Sequence, residues 1–347
     1  MENKIVTRSY LESKLVEIFT SLSVSREDSL YVARALIQAE QWGVTSHGTL
    51  RAEHYVRCLQ SGGVLADAQF TVEKQVGSWA SASANGGLGI PASYKATDLA
   101  IALAKEHGVG IVNLRMSHHN GAEGIYANEI ARQGMVGVVM STGNPIMAVT
   151  GSSEATIGNN PFAYAVPAGK YDTLMMDVAM SAVADGKVQV AKAMGKQLDP
   201  GCILDKNGSP SVEPDDYFNG GVLLPFGAHK GYGLSVMVEC MAGILSGAAL
   251  THDINSWNKI PGHCGNTGHM FMAFDISKMM SVEGYVRSVE TMIEQFKSSK
   301  KMEGVSEIFY PGELEHRRLA QAGENVSLLP STWSKIEDAA RMTGIKL

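Results

Sequence analysis

Near the N-terminus, apolar residues recur at helical spacing: Leu30, Ala33, Leu36 and Ile37 trace one face after Ser25, with Asp28 three residues on to complete a capping box. The pattern predicts that the segment up to about Tyr55 is two helices meeting at the Gly43 to Gly48 turn. Beyond Gly62 and Gly63 the period changes. Short apolar, β-rich runs at 109–114, 136–141, 162–166 and 173–178 alternate with glycine clusters and predict buried strands, with a helix over about Ala122–Gln133 between the first two. The run MFMAFDI at 270–276 predicts another strand. Helices are expected after Lys230, over about Val282–Phe296 and near Ser331–Met342. The longest apolar stretch, Leu234 to Leu250, carries Glu239 and two glycines and falls short of the roughly 20 residues that span a bilayer, so it reads as a buried helix. No internal repeat or low-complexity linker interrupts the chain. The expected fold class is α/β, a mixed middle with helices contributed by both chain ends.

Length and charge narrow the function. The 347 residues suffice for an ordinary core and about two domains. A net charge of -6, without any run of five like charges, argues against nucleic acid or a membrane surface as partner and leaves a small molecule. Cys58, Cys202, Cys240 and Cys264 form no C-x-x-C pair, and MENKIVTRSYLESK has no apolar core for a signal peptide, so a reduced, cytoplasmic setting is expected.

Three signals invite other readings. GGLGIPA at 86–92 contains G-x-G-x-x-A with Glu106 about 20 residues on, imitating a dinucleotide fingerprint. The preceding GSWASASAN is small and polar where a buried parallel strand should be apolar, and Glu106 precedes the next strand instead of ending it, so a glycine-rich turn is expected. His263, Cys264 and His269 lack the paired spacing of a zinc site and read as a loop; no metal is expected. Ser46 beside His47 is poor geometry for a nucleophile and base, and no G-x-S-x-G elbow occurs. Ser46 reads as a helix cap or as a neighbour that orients His47.

The chemistry concentrates in WGVTSHGTLRAEHY, residues 42–55. On a helix, His47, Arg51 and Tyr55 would share one stripe and present an acid/base, a guanidinium fork and a phenol to one ligand. A near-neutral imidazole moves protons at physiological pH, and arginine matches a carboxylate with two parallel hydrogen bonds, which together describe a site for an oxo or hydroxy acid. SHHNGAEG at 117–124 sets His118 and His119 in a turn at a helix start, where backbone N–H groups favour phosphate. The stretch 142–167 is rich in Gly, Asn and Pro, as where backbone approaches a flat ligand closely. PFGAHKGYG at 225–233 places Lys230 between glycines ahead of a helix, without the G-K-[ST] ending of a Walker loop.

In order along the chain, GVTSHGTLR (43–51), SHHNGAEGIY (117–126), IGNNPFAYAVP (157–167), DVAMSAVADGKV (177–188), HKGYGLSVMVE (229–239), NTGHMFMAFDI (266–276) and FYPGELEHRR (309–318) resemble the type-2 malate/L-lactate dehydrogenase family. That family also holds ureidoglycolate and sulfolactate dehydrogenases, diketogulonate reductase and piperideine-2-carboxylate reductase. The resemblance implies a homodimer with a non-Rossmann, mixed-sheet nicotinamide-binding domain at 76–279 and a helical domain built from 1–75 with 280–347. It implies NAD or NADP as cofactor, with hydride passing between nicotinamide and the α-carbon of a 2-oxo acid, 2-hydroxy acid or cyclic imino acid. By matching position, His47 is the proton donor with Ser46 beside it, His119 matches the catalytic histidine of ureidoglycolate dehydrogenase, and Lys187 matches a lysine of the dehydrogenases. Arg51 would hold the substrate carboxylate, with Tyr55 and Asp185 also facing substrate. Cofactor contacts would come from His119, Asn120, Gly121, Ala122 and Glu123, from Gly143, from Asp177, Val178 and Ala179, from Lys230 and Gly231, and from the loop Gly312, Glu313, Leu314. An imidazolium at His47 would neutralise the alkoxide formed in reduction.

This chain departs from its relatives at Thr45, where many carry an acid, and at Asp185, where Arg, His or Trp is frequent. Asp185 would either attract a cationic substrate group or pair with Lys187, and the pairing is favoured. Lys187 itself, an acid in piperideine-2-carboxylate reductase, tilts the reading towards an oxo or hydroxy acid over a cyclic imine. The rival functions are a relative that binds metabolites without catalysis, and a metal-dependent hydrolase or lyase using His47, His119 and His269.

Overall fold

A computed structural model describes residues 2–347. Strand β1 (Lys4–Thr7) leads into helices α1 (Arg8–Thr20), α2 (Arg26–Trp42) and α3 (Arg51–Gln60). The N-terminal segment is therefore three helices and a strand where two helices were expected. The Ser25 hydroxyl caps α2 by accepting from Asp28 N at 3.0 Å, as the capping pattern predicts. Next come β2 (Thr71–Val76), β3 (Trp79–Ser83), α4 (Gly89–His107), β4 (Val109–Ser117), α5 (Glu123–Arg132) and β5 (Met135–Ser141). Short strands β6 (Met147–Ala148) and β7 (Ala155–Ile157) precede β8 (Phe162–Pro167) and β9 (Thr173–Val178). They are followed by α6 (Asp185–Ala193), β10 (Ile203–Leu204), β11 (Pro210–Ser211), α7 (Pro214–Phe218), β12 (Val222–Leu223) and α8 (His229–Val238). The chain closes with β13 (Thr267–Asp275), α9 (Val282–Ser298), α10 (Glu313–Ala322), β14 (Asn325–Leu328) and α11 (Pro330–Thr343).

The central sheet has seven strands in the order β2-β3-β4-β13-β5-β8-β9, and its neighbours are antiparallel except for β3 with β4. It is a mixed α/β architecture and not a closed barrel. Strand alternation sorts the side chains onto two faces. Val139, Phe271 and Ala273 join the main core, packed with residues of α4 and α5, while Val138, Met140, Met270 and Met272 pack with Val238 and Ala242. Strands β1 and β14 pair antiparallel, Lys4 opposite Leu328, and tie the chain ends together. A small five-stranded sheet, β11-β10-β12-β6-β7, carries its own apolar cluster around Met147, Ile203 and Leu223.

Two expectations are corrected. GSWASASAN, read as too small and polar for a buried parallel strand, does supply one: its residues 79–83 form β3, parallel to β4, and with α4 they make a β-α-β unit. Its alanines suit the tight packing: Ala80 and Ala82 are fully buried in the main core. The glycines that follow also serve packing, for a Cβ at Gly89 would lie 2.1 Å from the His118 carbonyl oxygen. Secondly, Leu234–Leu250 is not a buried helix. It is the end of α8 and a π turn at Glu239–Ile244, and Leu234, Val236, Ile244 and Leu245 are exposed on its outer face.

Strand register gathers one end of the sheet. Ser117 pairs with Thr267, His269 with Ser141, Met140 with Phe162, and Phe162 with Val178, so the ends of five strands and the turns leaving them lie in one row.

Candidate active site

The segment of Ser46 and His47 is a 3-10 turn, Thr45–His47, closed by His47 N donating to the Val44 carbonyl and Gly48 N to Thr45, each at 3.0 Å. Gly48 then takes an extended conformation and α3 begins at Arg51. His47, Arg51 and Tyr55 thus do not share one helical stripe; a turn supplies the first and a helix the other two. They are still linked, through Ser46 and His119. Arg51 Nε donates to the Ser46 carbonyl at 2.6 Å, and Ser46 Oγ lies 3.0 Å from His47 Nδ1, so Ser46 is the hydrogen-bonding neighbour and not a cap. This leaves His47 Nε2 as the nitrogen free to exchange a proton.

The His118–His119 turn comes to the same place from the end of β4. The rings of His47 and His119 stack with centroids 5.4 Å apart and planes 16° from parallel. Tyr55 Oη sits 2.7 Å from His119 Nδ1, which turns the other nitrogen of that ring outward as well. Helix α6 supplies a further wall: a Cβ at Gly186 would come 2.6 Å from Ser46 Cβ, so the Asp185-Gly186-Lys187 segment lies directly on the histidine turn. Asp185 does not pair with Lys187. Its carboxylate accepts from Tyr217 Oη at 2.8 Å and Gln189 Nε2 at 2.7 Å, two groups that α7 and the next turn of α6 bring closer than the exposed Lys187 side chain.

Beneath the turn lies a residue that motif reading missed. Glu40, buried near the end of α2, accepts from both Thr49 N at 2.9 Å and Thr49 Oγ1 at 3.0 Å. A Cβ at Gly48 would come 2.2 Å from Glu40 Oε2, so glycine is what lets the turn rest on this carboxyl. Trp257 was missed too. It packs against His119 at 4.5 Å between ring centroids, and the Arg51 guanidinium carbon lies 5.1 Å from its ring. Contacts across more than a hundred residues of sequence leave no local pattern to read.

The electrostatics follow from low solvent access. Burial, then the Arg51 charge, pushes His47 down to about 3, and burial followed by His47 and Arg51 holds His119 well below its usual range. Burial thus favours the neutral form of both rings, where the sequence reading has an imidazolium at His47. Burial also lowers the Arg51 pKa, opposed by Tyr55 and Asp185. Among the described residues no carboxylate forms an ion pair with Arg51, and its only hydrogen bond is the Nε contact to Ser46. The outer fork of a half-buried guanidinium is left for an anion.

Several of the residues expected to contact cofactor lie at this end of the sheet, while Gly312 sits against Met175 in the middle of β9. Asp177, at the end of β9, accepts from Gly124 N at 2.8 Å, joining β9 to the His119–Glu123 turn. Glu123 is buried; Asn120 Nδ2 donates to its Oε2 at 3.1 Å while Oε1 has no protein partner. Burial, then Asp177, raises Glu123 well above the usual carboxyl range, and burial raises Asp177 to about 6. Gly143 N donates to Asn160 Oδ1 at 3.0 Å, and beyond Val178 and Ala179 the chain is fixed by Met180 N to the Asn159 carbonyl at 2.7 Å. Phe226 N donates to the Met180 carbonyl and Gly231 N to Phe226, bringing Lys230 alongside; Lys230 is already within α8, not ahead of it. Gly312 precedes α10 rather than a longer loop, and Met175 N donates to Pro311 O at 3.1 Å. Glu313 faces Lys297 at 2.7 Å and Arg317 at 2.6 Å, while Leu314 is exposed. His269 lies inside the sheet end, with Nε2 2.9 Å from Ser117 Oγ, and among the described residues no three His, Cys, Asp or Glu side chains converge as for a metal.

Residues 6–337 match the family model described as malate/L-lactate dehydrogenase. A malate dehydrogenase of Pyrococcus horikoshii is 37% identical over 90% of this chain and 88% of its own length. A (2R)-3-sulfolactate dehydrogenase (NADP(+)) of Chromohalobacter salexigens is 33% identical over 94% of this chain and 95% of its own. The solved sulfolactate dehydrogenase of Methanocaldococcus jannaschii superposes with a TM-score of 0.92 at 28% identity, covering 99% of this chain and 98% of that one.

Proposed function

The chain belongs to the malate/L-lactate dehydrogenase family, and from that premise we propose that it interconverts a small 2-hydroxy acid and its 2-oxo acid, with His47 moving the proton and Arg51 anchoring the carboxylate. It is an NAD(P)-dependent dehydrogenase or reductase. The observation that carries the residue assignment is the Arg51 fork: a half-buried guanidinium with no carboxylate of its own, beside two neutral histidines whose Nε2 atoms are free.

The turn at His119–Glu123 fits the cofactor. The orphaned Glu123 Oε1 lies on a buried carboxyl that burial pushes towards its protonated form, the form that donates a hydrogen bond, with Asp177 bonded to the same turn through Gly124 N. A bound nicotinamide would supply or accept the hydride. The chain's own groups do the rest. Arg51 orients the acid through two parallel bonds. In oxidation the neutral His47 Nε2 takes the hydroxyl proton. In reduction it must first be protonated, and a carboxylate seated on Arg51 assists by cancelling the Arg51 charge, the second cause after burial of the ring's low pKa. Ser46 Oγ fixes the His47 ring from Nδ1, and Tyr55 does the same for His119.

The proposal extends to assembly and place. The exposed Leu234, Val236, Ile244 and Leu245 favour a homodimer, and four free cysteines suit a reducing cytoplasm. No helix among the described residues is long and apolar enough to cross a membrane. We also take 1–75 with 280–347 as a helical unit and 76–279 as the cofactor-binding unit, supported by β1 pairing with β14 and by Gln60 Nε2 of α3 donating to Met342 O of α11. The test is nicotinamide absorbance with both cofactors over a panel of 2-oxo acids, 2-hydroxy acids and cyclic imines. Turnover of an oxo or hydroxy acid is expected; turnover of cyclic imines alone, or none with either cofactor, rejects the reading.

A further inference from the structure

The indole of Trp257 touches Arg51 and His119 and is held from behind. Its ring meets His119 at 4.5 Å, and the Arg51 guanidinium lies 5.1 Å from its centroid. The Trp257 carbonyl accepts from Cys58 Sγ at 3.4 Å. Its loop rests on the residues after α3 so closely that a Cβ at Gly63 would come 2.1 Å from the Pro261 carbonyl oxygen. Arg51 is thereby fixed twice, its Nε by the Ser46 carbonyl at 2.6 Å and its face by the indole, and both contacts leave the outer nitrogens free. A guanidinium over an indole is attracted to the ring's negative face, more strongly where water is excluded.

We infer that Trp257 is the positioning residue of the anion site: its ring face holds the Arg51 fork edge-on to the substrate carboxylate. This rests on the reading of Arg51 proposed above and adds a residue that no motif contains. A ring face is what the role needs, so phenylalanine should serve and an aliphatic side chain should not.

The experiment compares the full-length protein with Trp257→Phe and Trp257→Leu, using oxalate as an unreactive dicarboxylate probe and the best acid from the substrate panel. In Trp257→Leu, KM and the oxalate inhibition constant should rise about 3- to 30-fold, the range of a partly desolvated cation–π contact, with much less change in kcat or NADH affinity. Trp257→Phe should recover most of that loss. Equal KM values in all three proteins, or equal losses in both variants, overturn the inference. If the wild-type protein binds neither NADH nor NADPH, the underlying reading falls and takes this one with it. Should Trp257→Leu fail to fold, the emission present in the wild type and missing from Trp257→Phe carries the test. Oxalate is expected to change that component, and no change counts against the role.

Discussion

The two halves of the site meet the same loss of water with opposite chemistry. On the substrate side, burial drives His47 down to about 3 and His119 well below its usual range, leaving Arg51 as the charge that an incoming acid meets. On the proposed cofactor side, burial raises Asp177 to about 6, and burial with Asp177 beside it holds Glu123 well above the usual carboxyl range, so both carboxyls are pushed towards their protonated forms. Neutral bases beside one fixed cation suit recognition of an anion and removal of its proton. A protonated carboxyl beside glycines suits donation of a hydrogen bond to a neutral ligand group. Desolvation, the largest cause on both sides, thus pushes bases and carboxyls towards their neutral forms, and the proposed proton-transfer wall and binding wall can be attacked separately.

The largest effect is expected at His47. His47→Ala should lower kcat by about 10² to 10⁴, the range for a lost general acid or base, while NADH affinity, measured by fluorescence titration, stays within about twofold. His119→Ala is the paired measurement, since the two rings stack at 5.4 Å. A greater kcat loss at 119 than at 47 would move the proton to the second ring. Parallel losses of cofactor affinity in both would erase the division into two walls.

A smaller effect belongs to Glu40, beneath the histidine turn. Burial raises its pKa from 4.5 to about 7 against the opposing bonds from Thr49. A carboxyl whose folded pKa lies above its unfolded one binds its proton more tightly when folded. Its favourable share of stability is full below pH 4.5 and is lost as pH rises towards and through 7. At pH 8 the ionised form should cost about 3 kcal/mol relative to acid pH, since each tenfold tightening of proton binding in the fold is worth about 1.4 kcal/mol. Glu40→Gln keeps an oxygen for Thr49 and removes the titration. Urea midpoints at pH 5 and pH 8 should show the variant gaining on the wild type by about that amount at the higher pH. A constant gap would mean that Glu40 is already ionised or already hydrated in the fold.

Much of the frame was legible because the central strands are plain apolar runs: 109–114, 136–141, 162–166 and 173–178 all lie within strands of the seven-stranded sheet. β3 was not, since WASAS shields its backbone with alanine packed under a helix, and small residues give no apolar signal. The four-residue spacing of His47, Arg51 and Tyr55 pointed to a shared site for a reason that differs from the actual one. The spacing suggests a helix, but a 3-10 turn followed by extended Gly48 breaks the periodicity, and Ser46, not helical stacking, links His47 to Arg51. The Asp185–Lys187 pairing failed because Tyr217 and Gln189, 32 and 4 residues away, compete for the same carboxylate. Glu40 and Trp257 were invisible for a common reason: their contacts depend on where α2 ends and on how a distant loop lies over α3, and neither is a property of spacing.

The smallest and most discriminating change is Arg51→Lys. Lysine keeps the positive charge near its place, so any role of Arg51 as a mere electrostatic attractor survives the substitution. Three things are lost: the Nε bond to the Ser46 carbonyl, the flat face against Trp257, and the paired donors for a carboxylate. If the fork matters, KM for the acid should rise about tenfold, near 1.4 kcal/mol, with kcat reduced less because His47 stays in place. An unchanged KM would show that charge without geometry suffices and would remove the reason for placing the carboxylate on Arg51. A fall in kcat as large as that of His47→Ala would instead mean that Arg51 acts on the histidine turn through Ser46, and the substrate wall would then be a single coupled unit rather than an anchor beside a base.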